Sequence, residues 1–331
     1  MRKTFLIILL FLLTTFIPVY SETGKAGYAG AYLRFGLGAR PLGMGGAFCA
    51  IADGIESPYY NPAGMALNPA RQIGFTYHNL TLDRNLNSVA MVFPVRNQAA
   101  MALSWINSSV SDVVMRDTDR NPIGDFGNSH NSIALSFSKI IVDYFSVGAN
   151  LRYIQSKLDE LNAFTVVADI GGIFKYKRNI KVGLSVQNLG PDLRWDSSNY
   201  WGSGGKEYDD EFPVVFRIGG AGSFLDEAVI TTVDVVKDTQ LDFKIHAGCE
   251  YWLLKQVNVV LPDEEAEEEF EGATLKRKVF GIRTGYDDGS LTFGASLYYP
   301  YGRFHGGLDY AYMTGKRDEG SYHILTGRIL F

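Results

Sequence analysis

Four polar residues in one alternating stretch have the spacing that could do chemistry. They are Asp242, Lys244, His246 and Glu250. Two-residue alternation puts all four on one face of a strand. Such a row could hold a charged ligand, with Lys244 facing a carboxylate. It could instead form ion pairs with arginines of neighbouring strands, which is favoured because buried charges are normally paired. Candidate partners are Arg152, Arg217 and Arg283.

Motifs for catalysis and metal binding are missing from the sequence. The five histidines are scattered, and neither an HExxH nor a G-x-S-x-G pattern occurs. Asp117-x-Asp119-x-Asn121 has the opening spacing of a calcium loop, but Pro122 replaces the required glycine. The sequence therefore predicts neither an enzyme nor a metal or cofactor site. A net charge of −5 over 331 residues gives no indication of nucleic-acid binding.

Two-residue alternation recurs from residue 71 to the end of the chain, which indicates strands rather than helices. Many of these stretches reach the roughly 9–11 residues that a tilted membrane strand needs. We therefore predict an all-β protein, a 14-stranded antiparallel transmembrane β-barrel spanning residues 71–331. The predicted strands are 71–79, 86–94, 97–106, 130–139, 142–155, 163–176, 179–189, 212–224, 228–236, 240–253, 278–286, 289–299, 303–313 and 320–331.

An even strand number suits a bacterial barrel with both ends in the periplasm. Residues 107–128 and 190–211 are then long outer loops. The connector 255–278 follows the tenth strand and falls on the periplasmic side, unless 257–261 is an additional strand. It carries an acidic insertion at 262–272, which is either a solvated loop or a docking surface for a basic partner.

The N-terminal third of the sequence contains two segments outside the alternating pattern. Residues 1–21 have the charged start and short apolar run of a secretory signal peptide. Residues 22–70 are rich in small side chains between 36 and 66, which favours tight packing in a confined space. We predict that this segment is a hatch inside the barrel. Cys49 and Cys249 are predicted to be free thiols.

The last strand ends in Phe331 and alternates, with Leu325 and Ile329 facing lipid and Thr326 and Arg328 facing the lumen. A terminal phenylalanine in this setting resembles the recognition signal of outer-membrane barrels. The sequence therefore predicts a protein of the bacterial outer membrane, in contact with its lipid.

The stretch GARPLGMGGAFCAIADGIESPYYNPAGMA resembles the PorV/PorQ family, which is similar to FadL-type outer-membrane barrels. The resemblance implies a 14-stranded barrel whose hatch gates the passage of hydrophobic small molecules such as long-chain fatty acids. The alternative that it implies is a PorV-like role in type IX-like protein secretion, with a periplasmic or secretion-system partner. The candidate hatch residues are Gly43, Gly45, Gly46, Asn61, Pro62 and Ala63.

Overall fold

The computed structural model describes residues 28–68, 70–81, 84–96, 98–177, 179–259, 273–301, 304–315 and 320–331. Sixteen strands lie in this part of the chain. Their bounds are β1 Gln72–Asn79, β2 Asn85–Val95, β3 Ala99–Arg116, β4 Pro122–Val142, β5 Phe145–Leu158, β6 Leu161–Lys177, β7 Ile180–Leu189, β8 Leu193–Asp196, β9 Glu207–Asp210, β10 Val215–Phe224, β11 Val229–Asp238, β12 Lys244–Val259, β13 Ala273–Asp287, β14 Ser290–Tyr301, β15 Phe304–Thr314 and β16 Ser321–Leu330.

Fourteen of these strands form a closed antiparallel barrel, as predicted. β1 pairs with both β2 and β16, so the first and last strands close the wall. The two short strands, β8 and β9, form a hairpin that adds to β6. Every strand in the predicted set has a counterpart, because a period of two is a strong signal over segments of this length.

The outward face of the barrel is an apolar band. Phe145, Leu151, Leu184 and Phe243 are 37%, 59%, 55% and 67% exposed, so they do not share a dry core between two sheets. On the last strand, Leu325 and Ile329 are exposed while Arg328 is buried. An apolar exterior around a polar interior is the pattern of an outer-membrane barrel. No helix in the described ranges has the length and hydrophobicity to cross a membrane.

The two rims of the barrel differ. Both ends of the wall, at Gln72 and Leu330, lie at one rim, named the terminal rim here, together with short turns. The opposite loop rim carries the 25-residue connector between β7 and β10, which contains β8, β9 and a short helix, α1 (Ser198–Trp201). Short turns with both chain ends are typical of the periplasmic rim of such barrels.

The prediction of a long loop at 107–128 is wrong. β3 and β4 continue through it, with a register shift between Val110 and Val113, and turn at 117–121. The polar residues there suggested a loop. A hairpin that extends beyond the membrane is also polar, because its outward side chains contact water instead of lipid. In the turn, Asp117 accepts hydrogen bonds from the backbone amides of Asp119 and Asn121. The hydrogen bonds from Asn121 lower the pKa of Asp117, so this carboxylate is already satisfied without calcium.

β12 and β13 extend past their neighbours at the terminal rim. β12 pairs with β11 only as far as Tyr251, and β13 pairs with β14 only from Phe280. Beyond these points, 254–259 pairs with 273–278. Residues 257–259 therefore continue β12, so both ends of the intervening connector lie at the terminal rim. The acidic insertion at 262–272 itself, like the predicted signal peptide at 1–21, lies outside the described residues.

The described N-terminal residues, 28–68 and 70, pack inside the barrel and are called the inserted segment. It contains two short α-helices, α2 (Ala39–Gly43) and α3 (Ser57–Tyr60), and two 3₁₀-helices at Ala31–Phe35 and Pro62–Leu67. Most of its side chains between 37 and 65 are buried. Large side chains that are at most 1% exposed, such as Phe48, Met44 and Tyr60, show that it fills the lumen rather than lining it.

Candidate site inside the barrel

Three predicted hatch glycines lie where the inserted segment contacts the wall. A Cβ on Gly43 would lie 2.8 Å from Cδ of Arg283, and one on Gly45 would lie 2.3 Å from the carbonyl oxygen of Tyr286. Gly45 and Gly46 have φ of 67° and 77°, in the left-handed region that favours glycine. The segment can turn here and approach two barrel strands only because side chains are missing.

Asn61, Pro62 and Ala63 form the second contact, against β5, β6 and β7. Nδ2 of Asn61 lies 3.0 Å from the carbonyl oxygen of Cys49 and 3.2 Å from those of Gly172 and Leu184. Its Oδ1 accepts from the amide of Ala63 at 3.1 Å and so caps the 3₁₀-helix. The side chain of Asn61 therefore joins the segment to two wall strands. Pro62 starts the helix at the position where a missing amide costs least.

Wall glycines complete these contacts from the barrel side. A Cβ on Gly148 would lie 2.4 Å from Pro62, and one on Gly183 would lie 2.4 Å from Cys49. A Cβ on Gly248 would lie 2.4 Å from the carbonyl oxygen of Met44, and one on Gly285 would lie 2.3 Å from its carbonyl carbon. The sequence alternation hides these positions, because it gives no information on how closely another backbone approaches.

The predicted row of polar residues is only partly present. Asp242 is wrong as a lumen residue: β12 begins at Lys244, and Asp242 is exposed in the connector that precedes it. Lys244 is half-buried on the inward side. Nδ1 of His246 lies 2.8 Å from the carbonyl oxygen of Gly45 and 3.0 Å from Oδ1 of Asp287. Glu250 is fully buried.

Glu250 lies in a buried ion-pair cluster that joins the inserted segment to four wall strands. Its two oxygens accept from Nε and Nη2 of Arg40 at 2.9 and 2.8 Å. Arg283 lies 3.3 Å from the same carboxylate, which confirms the predicted pairing with one of the three candidate arginines. The members of the cluster are Arg40, Asp53, Glu56, Glu250, Arg283, Asp309 and Arg328.

The far end of the cluster closes on the last strand. Nη2 of Arg328 lies 2.7 Å from Glu56 and 2.6 Å from Asp309. The other two candidate arginines pair elsewhere, Arg152 with Asp169 and Arg217 with Asp234. Sequence reasoning missed Arg40, Asp53 and Glu56. Arg40 and Glu56 pair with wall residues more than 200 positions away, and Asp53 joins the cluster through Arg40. The signal available was the presence of three charges in an otherwise small and apolar segment.

Toward the loop rim the lumen changes character and becomes an apolar chamber. Residues 29–42 of the inserted segment pack there, with Tyr32, Leu33 and Leu37 among the buried side chains. The wall of the chamber is formed by residues of the strands and of the loop-rim connectors: Leu80, Leu86, Ile106, Ile154, Ala163, Val167, Leu193, Phe212, Ala311, Met313, Tyr322 and Ile324. A lumen lined in this way can hold hydrophobic molecules.

A small cavity lies where the chamber meets Ile55, Pro58 and Tyr59 of the inserted segment. It has room for about 10 Å³, close to one water molecule. Its lining combines Leu37 and Ile106 of the chamber with Ser104, Ser132 and Arg152 of the wall. No cluster of side chains suited to a metal ion occurs among the described residues.

A closed 14-stranded barrel with an apolar outer band is the architecture of an outer-membrane barrel, and here a folded segment of the chain occupies the lumen. Solved structures share this fold. The toluene transporter TodX of Pseudomonas putida matches with a TM-score of 0.57 and 10% identity, over 89% of this chain and 97% of TodX. The toluene transporter TbuX of Ralstonia pickettii matches with a TM-score of 0.54 and 13% identity, over 89% of this chain and 97% of TbuX.

A FadL homologue of Pseudomonas aeruginosa matches with a TM-score of 0.54 and 10% identity, over 95% of this chain and 99% of the homologue. No protein-family model matches the sequence, and no curated protein matches it either. The structural likeness agrees with the FadL-like part of the sequence resemblance. The narrower resemblance to PorV and PorQ stays a prediction.

Proposed function

We propose that this protein takes hydrophobic small molecules across the bacterial outer membrane through its plugged lumen. The apolar chamber is the observation that carries the proposal. Twelve buried residues of the strands and the loop-rim connectors surround it, and residues 29–37 of the chain itself fill it. Such a surface requires an apolar occupant, so a ligand can bind by replacing part of the inserted segment. Long-chain fatty acids and monoaromatic hydrocarbons both fit this chemical description.

Uptake by a strain that lacks the protein tests this proposal. Labelled fatty acid and labelled toluene should enter more slowly in the deletion strain, and the intact gene should restore the rate. Unchanged uptake of both compounds would contradict the proposal.

A matched pair of variants on β5 links uptake to the chamber. Ile154 is buried in the chamber wall, whereas Leu151 faces lipid and is 59% exposed. Ile154→Ala removes about three carbon groups from the chamber, so the apparent affinity for a hydrophobic substrate should fall about tenfold or more. Leu151→Ala should leave it unchanged. Equal effects of the two substitutions would place the substrate outside the chamber.

One feature favours a second candidate, a PorV-like docking role. The extension formed by 254–259 and 273–278 leaves the barrel wall at the terminal rim and presents two strand edges that no neighbouring described strand covers. Unpaired edges can receive a strand of another protein. Cross-linking in intact cells, followed by mass spectrometry, should then recover one dominant periplasmic partner at these residues. Deleting residues 256–275 would abolish that cross-link and leave uptake intact.

A further inference from the structure

The inserted segment places the ring of Tyr32 inside the apolar chamber. Tyr32 lies in the 3₁₀-helix Ala31–Phe35 and is only 5% exposed. Its ring stacks on that of His130, with 5.1 Å between ring centroids and 11° between planes. His130 is held in turn by the hydroxyl of Ser156, 2.8 Å from its Nδ1. The phenol is thus positioned by the wall.

The hydroxyl of Tyr32 points toward a polar position at the bottom of the chamber. It lies beside Ser132 of β4, which lines the small cavity and is 2% exposed. Neither hydroxyl makes a hydrogen bond of normal geometry with any described residue. A buried hydroxyl without a partner costs free energy. Ser132 is therefore a hydrogen-bonding position without a partner at the edge of the apolar chamber.

The same position carries no net charge. Arg152 also lines the cavity, but its guanidinium is paired with Asp169 and contacts Asn188 at 3.3 Å. Asp169 also accepts from Asn150 and from the amide of Asn188. Because this arginine is already neutralised, a ligand carboxylate would be buried there without a partner of its own. A neutral hydroxyl has no such cost.

We infer that the chamber selects a neutral hydrophobic compound with one hydroxyl group, such as a phenol, and that Ser132 binds its hydroxyl. The inference rests on the proposed function and names the substrate class of that site. Tyr32 holds the place of this ligand in the resting protein. A hydrocarbon would gain no hydrogen bond from Ser132, and a carboxylate would add an unpaired charge.

Three compounds that differ only at one ring position test the inference. They are p-cresol, toluene and 4-methylbenzoate, titrated calorimetrically into the purified full chain in detergent micelles. p-Cresol should bind at least tenfold more tightly than 4-methylbenzoate. Ser132→Ala should weaken p-cresol about fivefold to tenfold, the effect of one hydrogen bond, and change toluene less than twofold. The ratio of native to Ser132→Ala affinity is taken separately for p-cresol and for toluene. The different water solubilities of the two compounds then cancel.

Two further variants separate the binding position from general effects on the fold. Ser185 of β7 is a second buried serine whose hydroxyl has no described partner, and it is not part of the cavity lining. Ser185→Ala should change neither affinity. Tyr32→Ala vacates the ring position and should strengthen p-cresol binding about tenfold, provided that Ser132 is intact.

Several results would overturn the inference. Equal loss of p-cresol and toluene affinity in Ser132→Ala would remove Ser132 as the hydroxyl site. Tighter binding of 4-methylbenzoate than of p-cresol would identify an acid-binding site instead. If the three compounds bind equally while uptake still depends on the chamber, only the inference fails. If none binds and uptake is also unaffected by deletion, the proposed function fails with it.

Discussion

The apolar chamber and the ion-pair cluster hold neighbouring parts of one inserted segment by different forces. Leu42 packs in the chamber, whereas Arg40, two residues earlier, donates to Glu250 and Asp53. Apolar contacts are non-directional, and a molecule of similar size can replace them. Buried ion pairs depend on geometry, and one charge left alone is costly. From this comparison we expect that a ligand exchanges with residues 29–37, whereas residues 40–56 stay in place.

Glu250→Gln should have the largest effect. The substitution keeps the shape of the side chain but leaves Arg40 and Arg283 without their shared carboxylate in a buried site. The free energy of unfolding should fall by about 3–5 kcal/mol. Urea titration of the protein in lipid vesicles measures this quantity. Glu207→Gln is the control, because Glu207 pairs with Arg194 at the surface and both side chains are more than 60% exposed. A loss of under about 1 kcal/mol for Glu250→Gln would match a surface pair and contradict the comparison.

Gly285→Ala should have the next largest effect, because it separates the segment from the wall without removing a charge. The added Cβ would lie 2.2 Å from the amide nitrogen of Gly45. Overpacking of this kind costs about 1–3 kcal/mol. Gly327→Ala tests the same change on the outward face, where a Cβ meets no atom within 4 Å. If both alanines give the same unfolding free energy, close backbone contact does not hold the segment.

Leu33→Ala probes the exchangeable end of the segment. Truncating a buried leucine usually costs about 2–5 kcal/mol. We expect residues 29–37 to shift and fill the vacated space, so the cost here should be about 1 kcal/mol, below that range. Vesicle uptake of toluene should also become faster. A full cost of about 4 kcal/mol with unchanged uptake would show that this end of the segment is as fixed as the cluster.

Cys49 provides the smallest and most specific readout. It lies in the fixed part of the segment and has no exposed surface. With Cys249 replaced by serine, a membrane-impermeant maleimide should not label Cys49 in the native protein or in Leu33→Ala. Labelling should appear in Glu250→Gln, because that substitution releases this part of the segment. Labelling of the native protein would show that the segment opens without loss of the ion pairs.

The barrel itself was predictable because its signal is local. Alternation at Phe145, Leu151 and Leu184 requires only a few neighbouring residues to be recognised, and each of these side chains faces outward. Strand ends were less predictable. The pattern around 107–128 changes where the hairpin leaves the apolar band, although the pairing of β3 with β4 continues. Asp242 was placed wrongly for the opposite reason, since the sequence alternation extends one step before the start of β12 at Lys244.

The candidate site was less predictable because its contacts are not local. Arg40 and Glu250 are 210 residues apart, and Glu56 and Arg328 are 272 apart. Inward alternation identified Glu250 and Arg328 as lumen residues, but one sequence cannot show which charge of the inserted segment each meets. Ser132 and Tyr32 were missed because a serine or a tyrosine in isolation has no pattern. Their meaning comes from the apolar surface around them.

β16 has a consequence for assembly of the protein. It is the final strand in the chain, and its pairing with β1 closes the wall. Thr326 accepts from the amide of Ala39, and Arg328 binds Glu56, so both partners are in the inserted segment. These contacts cannot form before the last strand arrives. The strand that seals the cylinder therefore also fastens its contents, and a barrel that closed empty would keep its seam pairing but lack the added bonds from Ala39 and Glu56.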